Sequence, residues 1–201
     1  MVVKEQYHHK DLRNALLAEA SAMLEQSGTS KLSLRELARR LGVAHTAAYA
    51  HFPDKTALLR EVADLGFARL GDALLAAKAR SADPAAELLA MGEAYVRFAH
   101  DEPSLYRLMF VDEALCDDPG DDMSPEAQRA FGALAEAVAR IGVAADAVRD
   151  TSVAIWGFVH GVAMLDIDAR ISGKTMQSGE AIAELGGKLF LAGLRALHAG
   201  S

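Results

Sequence analysis

The side chains best suited to binding chemistry are concentrated between residues 33 and 55. A run of small and hydrogen-bonding residues offers a hydroxyl, a methyl group and an imidazole: Ala44, His45, Thr46 and Ala47. Those groups suit the edges of nucleic-acid bases, where hydrogen bonds and methyl contacts carry sequence information. The Tyr49 hydroxyl and the Lys55 ammonium suit phosphate oxygens, which fix register without specifying sequence. This segment is therefore predicted to contact nucleic acid.

Two short helices joined at a glycine are predicted to position these residues. Ser33 and Glu36 form a capping box that begins a helix at residue 34. One face of this helix is apolar, because apolar residues recur at spacings of three and four: Leu34, Leu37, Ala38 and Leu41. Gly42 permits a left-handed turn, and a second helix then covers residues 44–52 until Pro53 prevents its continuation. Such a corner presents the second helix to the DNA major groove.

Some residues of the segment have a simpler structural interpretation. Phe52 lies three residues after Tyr49 on one helix face and is expected to belong to the core, and His51 fits packing better than contact. For Arg39 and Arg40 the alternative is an ordinary solvated helix face.

Several fixed spacings in this segment match one known family. The matching pieces are Leu37-Ala38, Leu41-Gly42-Val43, Tyr49-x-His51-Phe52 and Lys55-x-x-Leu58-Leu59. The segment resembles the DNA-binding domain of the TetR (tetracycline-repressor) family of one-component bacterial regulators. The resemblance implies base contacts from Arg35 and residues 45–47, and phosphate contacts from Ser33, Tyr49 and Lys55. The complete set of expected DNA contacts is Ser33, Arg35, Ala44, His45, Thr46, Ala47, Tyr49, His51 and Lys55.

The second helix departs from the family pattern at two positions. Ala44 replaces the usual Ser or Thr cap, and Ala48 replaces a bulky apolar residue. Loss of a cap costs a helix about 1 kcal/mol. This helix is therefore expected to be loosely held until DNA orders it.

Charge is divided unevenly along the chain. Residues 1–60 carry nine Lys or Arg and six Asp or Glu, a net charge of +3, whereas the remaining residues carry 12 basic and 22 acidic side chains, a net of −10. The acidic part would be repelled by DNA, so the N-terminal part must bind it. Because +3 is modest for one subunit, a symmetric homodimer is expected.

The composition predicts an all-α fold of about nine helices. Apolar residues make up 51% of the 201 residues, aromatic residues only 6%, and no strand pattern stands out. The predicted domains are a helix-turn-helix DNA-binding domain at 1–60 and a helical effector-binding and dimerisation domain at 61–201. Helices are expected at about 8–27, 34–41, 44–52, 54–80, 84–101, 103–111, 125–141, 146–170 and 178–198.

Other sequence features argue against several classes of protein. No apolar run is long enough for a membrane span and the N-terminus lacks a signal-peptide pattern, so a cytoplasmic location is expected. The single Cys116 cannot form an internal disulfide. The acidic stretch 112–123 lacks the ligand spacing of a calcium loop, and no cofactor or metal is predicted.

Two signatures in the C-terminal part resemble a subgroup of TetR-type domains named for its Trp, His and Gly residues. They are residues 103–110 (PSLYRLMF) and 156–161 (WGFVHG). The resemblance implies a ligand-sensing, dimerising domain. From the residues themselves, an apolar ligand cavity is predicted, with the lining Tyr95, Phe98, Met109, Phe131, Trp156, His160 and Met164. The alternative, a plain core stripe, is equally compatible with Trp156, His160 and Met164 at four-residue spacing. His160 could bind a ligand carbonyl or carboxylate, or merely a backbone carbonyl.

The last two helices are expected to form the dimer interface. Gly186, Gly187 and Gly193 would let another helix approach closely, although intrachain packing is the alternative. By resemblance, the chain is expected to be a repressor that binds palindromic double-stranded operator DNA and is released by an unknown small-molecule effector. An effector-independent regulator or an activator is the alternative. A helical enzyme around His160, Asp166 and Asp168 is a remote one, because no catalytic motif accompanies them.

Overall fold

The computed structural model describes residues 9–111, 123–171, 174–175 and 177–199, and every regular element within those ranges is a helix. The elements are α1 (His9–Ser27), a 3-10 turn (Thr29–Lys31), α2 (Leu34–Arg40), α3 (His45–Tyr49), α4 (Lys55–Lys78), α5 (Pro84–Asp101), α6 (Pro103–Val111), α7 (Pro125–Arg140), α8 (Val148–Ile167) and α9 (Gly179–Ala199). The all-α prediction is confirmed. Cys116 and residues 112–122 of the acidic stretch lie outside the described residues.

The described chain divides into two compact units. The first contains residues 9–66 and 104–111, and the second contains the described residues of 67–103 and 123–199. The division falls inside α4, and α6 belongs to the first unit although it follows α5 in sequence. Within the first unit, the Leu105 backbone N–H donates a 2.8 Å hydrogen bond to the Glu25 carboxylate, which joins α6 to α1.

The first unit is built on a buried apolar core. Its fully buried large side chains are Leu16, Met23, Leu24, Leu32, Leu37, Phe52, Leu58, Val62 and Tyr106. Gly42 has a φ of 68°, the left-handed turn that the sequence predicts. The Val43 N–H then donates to the Ala38 carbonyl over 3.0 Å, and α3 packs against α2.

α3 is shorter than the sequence predicts, covering His45–Tyr49 rather than residues 44–52. At its start, Ala44 occupies the N-cap position and provides no side-chain hydrogen bond. At its end, Pro53 disfavours helical geometry for the residue before it, and residues 50 and 51 form a turn instead. Five residues of helix therefore present the predicted base contacts at residues 45–47.

Four helices pack together in the second unit. α5 contacts α7, α8 and α9, and α8 contacts α7 and α9. Two caps predicted from sequence are present: the Asp83 carboxylate accepts from the Ala86 N–H over 3.0 Å, and the Ser124 hydroxyl accepts from the Ala127 N–H over 3.3 Å. These caps fix where α5 and α7 begin.

Candidate functional site

One side of α3 is anchored and the other is exposed. Ala48 is completely buried, whereas His45 and Thr46 are exposed and Ala47 is half-buried. The Tyr49 side chain is 51% exposed, so its hydroxyl can reach a partner outside the chain. A small residue at 48 seats the helix closely on its neighbours while its opposite side stays accessible.

Phe52 and Tyr49 have separate roles, as their spacing suggests. Phe52 is 1% exposed, and the Arg13 guanidinium carbon lies 5.3 Å from the centroid of its ring, a cation–π distance. Phe52 is therefore structural, and Tyr49 alone of the pair is available for contact.

The three arginines of α2 differ in their partners. Arg39 makes two hydrogen bonds to the Glu36 carboxylate, of 2.8 and 2.7 Å, and Arg40 contacts Glu36 at 3.2 Å and Glu19 at 2.9 Å. Arg35 is exposed and makes no hydrogen bond or ion pair within the described part of the chain. Among these three cations, Arg35 is thus the one whose charge is not already matched.

Titration of Glu36 would test this arrangement. Hydrogen bonds from Arg39 and then Arg40 lower the pKa of Glu36 from 4.5 to about 2. Because the folded-state pKa is depressed, the stabilising contribution of this cluster is present above pH 4.5 and is lost as pH falls through about 2. Carbon-13 NMR of the Glu36 carboxyl should show a midpoint near 2, and Arg39→Ala should raise it. A midpoint near 4.5 in the unmodified protein would contradict the cluster.

Two predicted phosphate contacts also hold the fold. The Lys55 ammonium donates to the Thr29 backbone carbonyl over 2.5 Å, and its other N–H donors can still serve a second acceptor. The Ser33 hydroxyl accepts from the Glu36 N–H over 3.2 Å, which leaves its own hydrogen to donate. His51, the last of the predicted set, is half-buried.

A polar cluster lies inside the second unit, as part of the predicted ligand-binding set. The Trp156 indole N–H donates to the Tyr95 hydroxyl oxygen over 3.1 Å, and that hydroxyl lies 3.2 Å from His160 Nδ1. The indole can only donate, whereas the Tyr95 hydroxyl can either donate to Nδ1 or accept a second hydrogen bond from it, depending on the His160 tautomer. Burial lowers the pKa of His160, so its imidazole is neutral at pH 7.

The other predicted ligand-binding residues are divided between the units. In the second unit Phe98 is buried, and Phe131 and Met164 are half-buried. Met109 belongs to the first unit, where its sulfur packs so closely over Gly66 that a Cβ there would lie 2.6 Å from it. Six of the seven predicted ligand-binding residues therefore lie in the second unit, and Met109 lies in the first.

Glu87, a buried acidic residue of the second unit, was missed by the sequence interpretation. Its side chain is 3% exposed and contacts Arg140 of α7 at 2.6 Å. The only signal in the sequence was spacing. Glu87 lies four residues before Met91 and eight before Tyr95, which puts it on the buried side of α5.

An apolar surface on α8 and α9 is uncovered in the single chain. Its large exposed side chains are Val153, Leu165, Leu185 and Leu189, at 46%, 46%, 55% and 66% exposure. Positions 157, 161 and 193 are glycines with open space above them. By contrast, Gly186 lies against the Phe158 ring and Gly187 against Leu89, so those two glycines serve packing within the chain.

Comparison with protein families assigns the fold. A model described as bacterial regulatory proteins, tetR family, matches residues 16–62, which include α2 and α3. A model described as the tetracyclin repressor-like C-terminal domain matches residues 88–186. The chain belongs to the TetR family. The finer resemblance of this TetR-family chain to the Trp-His-Gly subgroup stays a prediction. Neither model describes an enzyme.

Individual relatives agree with this assignment. The HTH-type transcriptional regulator AcrR of Shigella flexneri is 33% identical over 72 residues, a match spanning 36% of this chain and 34% of that relative. A protein of unknown function from Rhodococcus sp. RHA1 has 30% identity and a TM-score of 0.80, over 94% of this chain and 98% of that one. A TetR variant from Acinetobacter baumannii AYE in complex with minocycline shares the fold, with 20% identity and a TM-score of 0.66 over 92% and 96% of the two chains.

Membrane-spanning helices and metal-binding clusters are both absent from the described residues. Within the described ranges, no helix is long and apolar enough to cross a membrane. The same residues contain no group of three or more His, Cys, Asp or Glu side chains that could hold a metal ion.

Proposed function

We propose that this TetR-family protein is a transcriptional repressor that binds palindromic double-stranded operator DNA as a homodimer and is released by a small-molecule effector. The observation that carries the proposal is the two-sided character of α3, with Ala48 buried and His45, Thr46 and Tyr49 exposed. Such a helix can enter a groove without rearranging the unit that supports it.

The proposed DNA contacts divide by chemistry. Thr46, His45 and the unmatched Arg35 would contact base edges, with Ala44 and Ala47 allowing close approach. Ser33, Tyr49 and the remaining N–H donors of Lys55 would contact phosphates, with His51 supporting them from its half-buried position. In the dimer, the two α3 helices would occupy successive major grooves about 34 to 36 Å apart.

The homodimer would form through the exposed apolar surface of α8 and α9. A patch of this kind on one chain favours a partner surface that covers it. The open glycines at 157, 161 and 193 would allow two copies of the helices to approach closely across a two-fold axis. Pairing would double the modest positive charge of residues 1–60 and bring two α3 helices to one operator.

The proposed effector site lies around the Tyr95–Trp156–His160 cluster of the second unit. A neutral imidazole among aromatic and apolar side chains suits an amphipathic organic molecule, and a relative with the same fold binds minocycline. α4 is one continuous helix with residues in both units, so it would transmit an effector-induced change to α3. The coupling must be reciprocal: operator DNA should weaken effector binding by the same factor by which the effector weakens operator binding.

Selection of bound fragments from random DNA tests the proposed function. We expect an inverted repeat whose half-sites are separated by about one helical turn, because a two-fold symmetric dimer presents two identical helices. The enriched fragments would be sequenced and their affinity measured at fixed salt concentration, since phosphate contacts make affinity salt-dependent. Enrichment of unrelated sequences, or of a single half-site, would contradict the dimeric mode of binding.

A further inference from the structure

Glu87 of α5 is a buried carboxylate with one oxygen that has no donor. Its Oε1 accepts a 2.6 Å hydrogen bond from Arg140, whose own side chain is 45% exposed. Its Oε2 is buried and accepts no hydrogen bond from any residue that the structure describes. Burial of an unsatisfied carboxylate oxygen is unfavourable, and native proteins retain such groups for a reason.

The packing of α5, α7 and α8 indicates which part of α8 lies level with Glu87. α5, α7 and α8 contact one another, and α5 runs parallel to α8, because the paired residues advance together along both helices. Tyr95 pairs with His160 at a sequence separation of 65, and His100 pairs with Asp166 at a separation of 66. The same offset places Glu87 at about the level of Ser152, two helical turns or about 12 Å before Tyr95.

Ser152 is a second acceptor at this level. It is completely buried, and its hydroxyl donates a 2.7 Å hydrogen bond to the Val148 carbonyl of its own helix. The hydrogen is therefore already used, and only the oxygen lone pairs remain available. Apart from tyrosines, Glu87 and Ser152 are the buried polar side chains in the part of the chain that the structure describes, and both present acceptors.

We propose that Glu87 and Ser152 form a subsite for the ammonium group of an amine effector, whose apolar body lies along Met91 toward Trp156. An ammonium group has three donors and no acceptor, and its hydrogen bond to a carboxylate is charge-assisted. A ligand carboxylate would instead lie beside the like charge of Glu87. This inference rests on the proposed effector site and specifies the class of molecule that enters it.

Three probes of similar shape test the preference: 2-phenylethylamine, 2-phenylethanol and 3-phenylpropanoate. Trp156 is the only tryptophan of the chain, so its fluorescence reports binding beside the subsite. Each probe would be titrated into the full-length wild type, into Glu87→Gln and Ser152→Ala, and into Glu93→Gln as the matched control. Glu93 lies on the same helix and makes no hydrogen bond or ion pair within the described ranges.

We expect the amine to bind wild type and Glu93→Gln at least about tenfold more tightly than the carboxylate, as one charge-assisted hydrogen bond can provide. Glu87→Gln should weaken amine binding about tenfold while changing alcohol affinity by less than about threefold. Ser152→Ala should also weaken amine binding selectively. Circular dichroism and operator binding of each variant establish that it is folded.

Two results would overturn the subsite. The first is a wild-type protein that does not prefer the amine over the carboxylate, or a Glu87→Gln variant that keeps this preference. If operator binding is intact in that case, the proposed function as a DNA-binding regulator is unaffected. The second is no fluorescence change with any of the three probes, which would also overturn an effector site around Trp156.

Discussion

Replacing both Leu185 and Leu189 with aspartate is expected to convert the proposed homodimer into a monomer and to weaken operator binding by about a hundredfold or more. The two side chains are 55% and 66% exposed in the single chain, so the substitutions remove little packing within it. In the dimer, the new carboxylates would be buried against an apolar surface without partners, at a cost of several kcal/mol. Loss of pairing then removes the second α3 from the operator.

Sedimentation velocity would measure the association state, and fluorescence anisotropy the operator affinity. Leu65→Asp is the matched control, since Leu65 is a similarly exposed leucine, at 42%, on α4. The control should remain a dimer, and the thermal unfolding temperature of the double variant should stay close to that of wild type at matched monomer concentration. A double variant that still sediments as a dimer would show that α8 and α9 do not form the interface.

Local signals in the sequence predicted most helix boundaries. Asp83 and Ser124, each followed by proline, marked the starts of α5 and α7, and both side chains cap those helices. Gly42 marked the left-handed turn before α3. These features involve residues within four positions of one another, so composition and spacing suffice to recognise them. The predicted length of α3 was wrong. Periodicity extended the helix to residue 52, whereas Pro53 disfavours helical geometry for the residue before it.

Features that depend on distant residues were not visible in the sequence. Gly186 and Gly187 form the same small-residue pattern as Gly193, yet the first two pack against Phe158 and Leu89 of their own chain. The pattern shows that a close neighbour exists but does not identify it. Glu87 looked like an ordinary first-turn acidic residue of α5. Its burial depends on α7, more than 50 residues away, whose Arg140 reaches it.

Arg35→Ala is expected to weaken operator binding about ten- to a hundredfold, the loss of a base contact worth about 1 to 3 kcal/mol. Its guanidinium is exposed and has no carboxylate partner within the residues that the structure describes. It can therefore bind DNA without first breaking an ion pair. Arg39, one turn later on α2, already donates two hydrogen bonds to the Glu36 carboxylate. Arg39→Ala should change affinity by less than about threefold.

The two variants also separate base contact from general attraction. Anisotropy titrations at fixed salt would compare the selected operator with versions altered at one symmetric base pair at a time. Arg35→Ala should abolish the preference at one position of each half-site and leave the others unchanged, because a base contact discriminates locally. Arg39→Ala should preserve the whole pattern. Equal losses from both variants, or a loss from Arg35→Ala that is uniform across all sequences, would mean that Arg35 contacts phosphate, and that base recognition depends on His45 and Thr46 of α3.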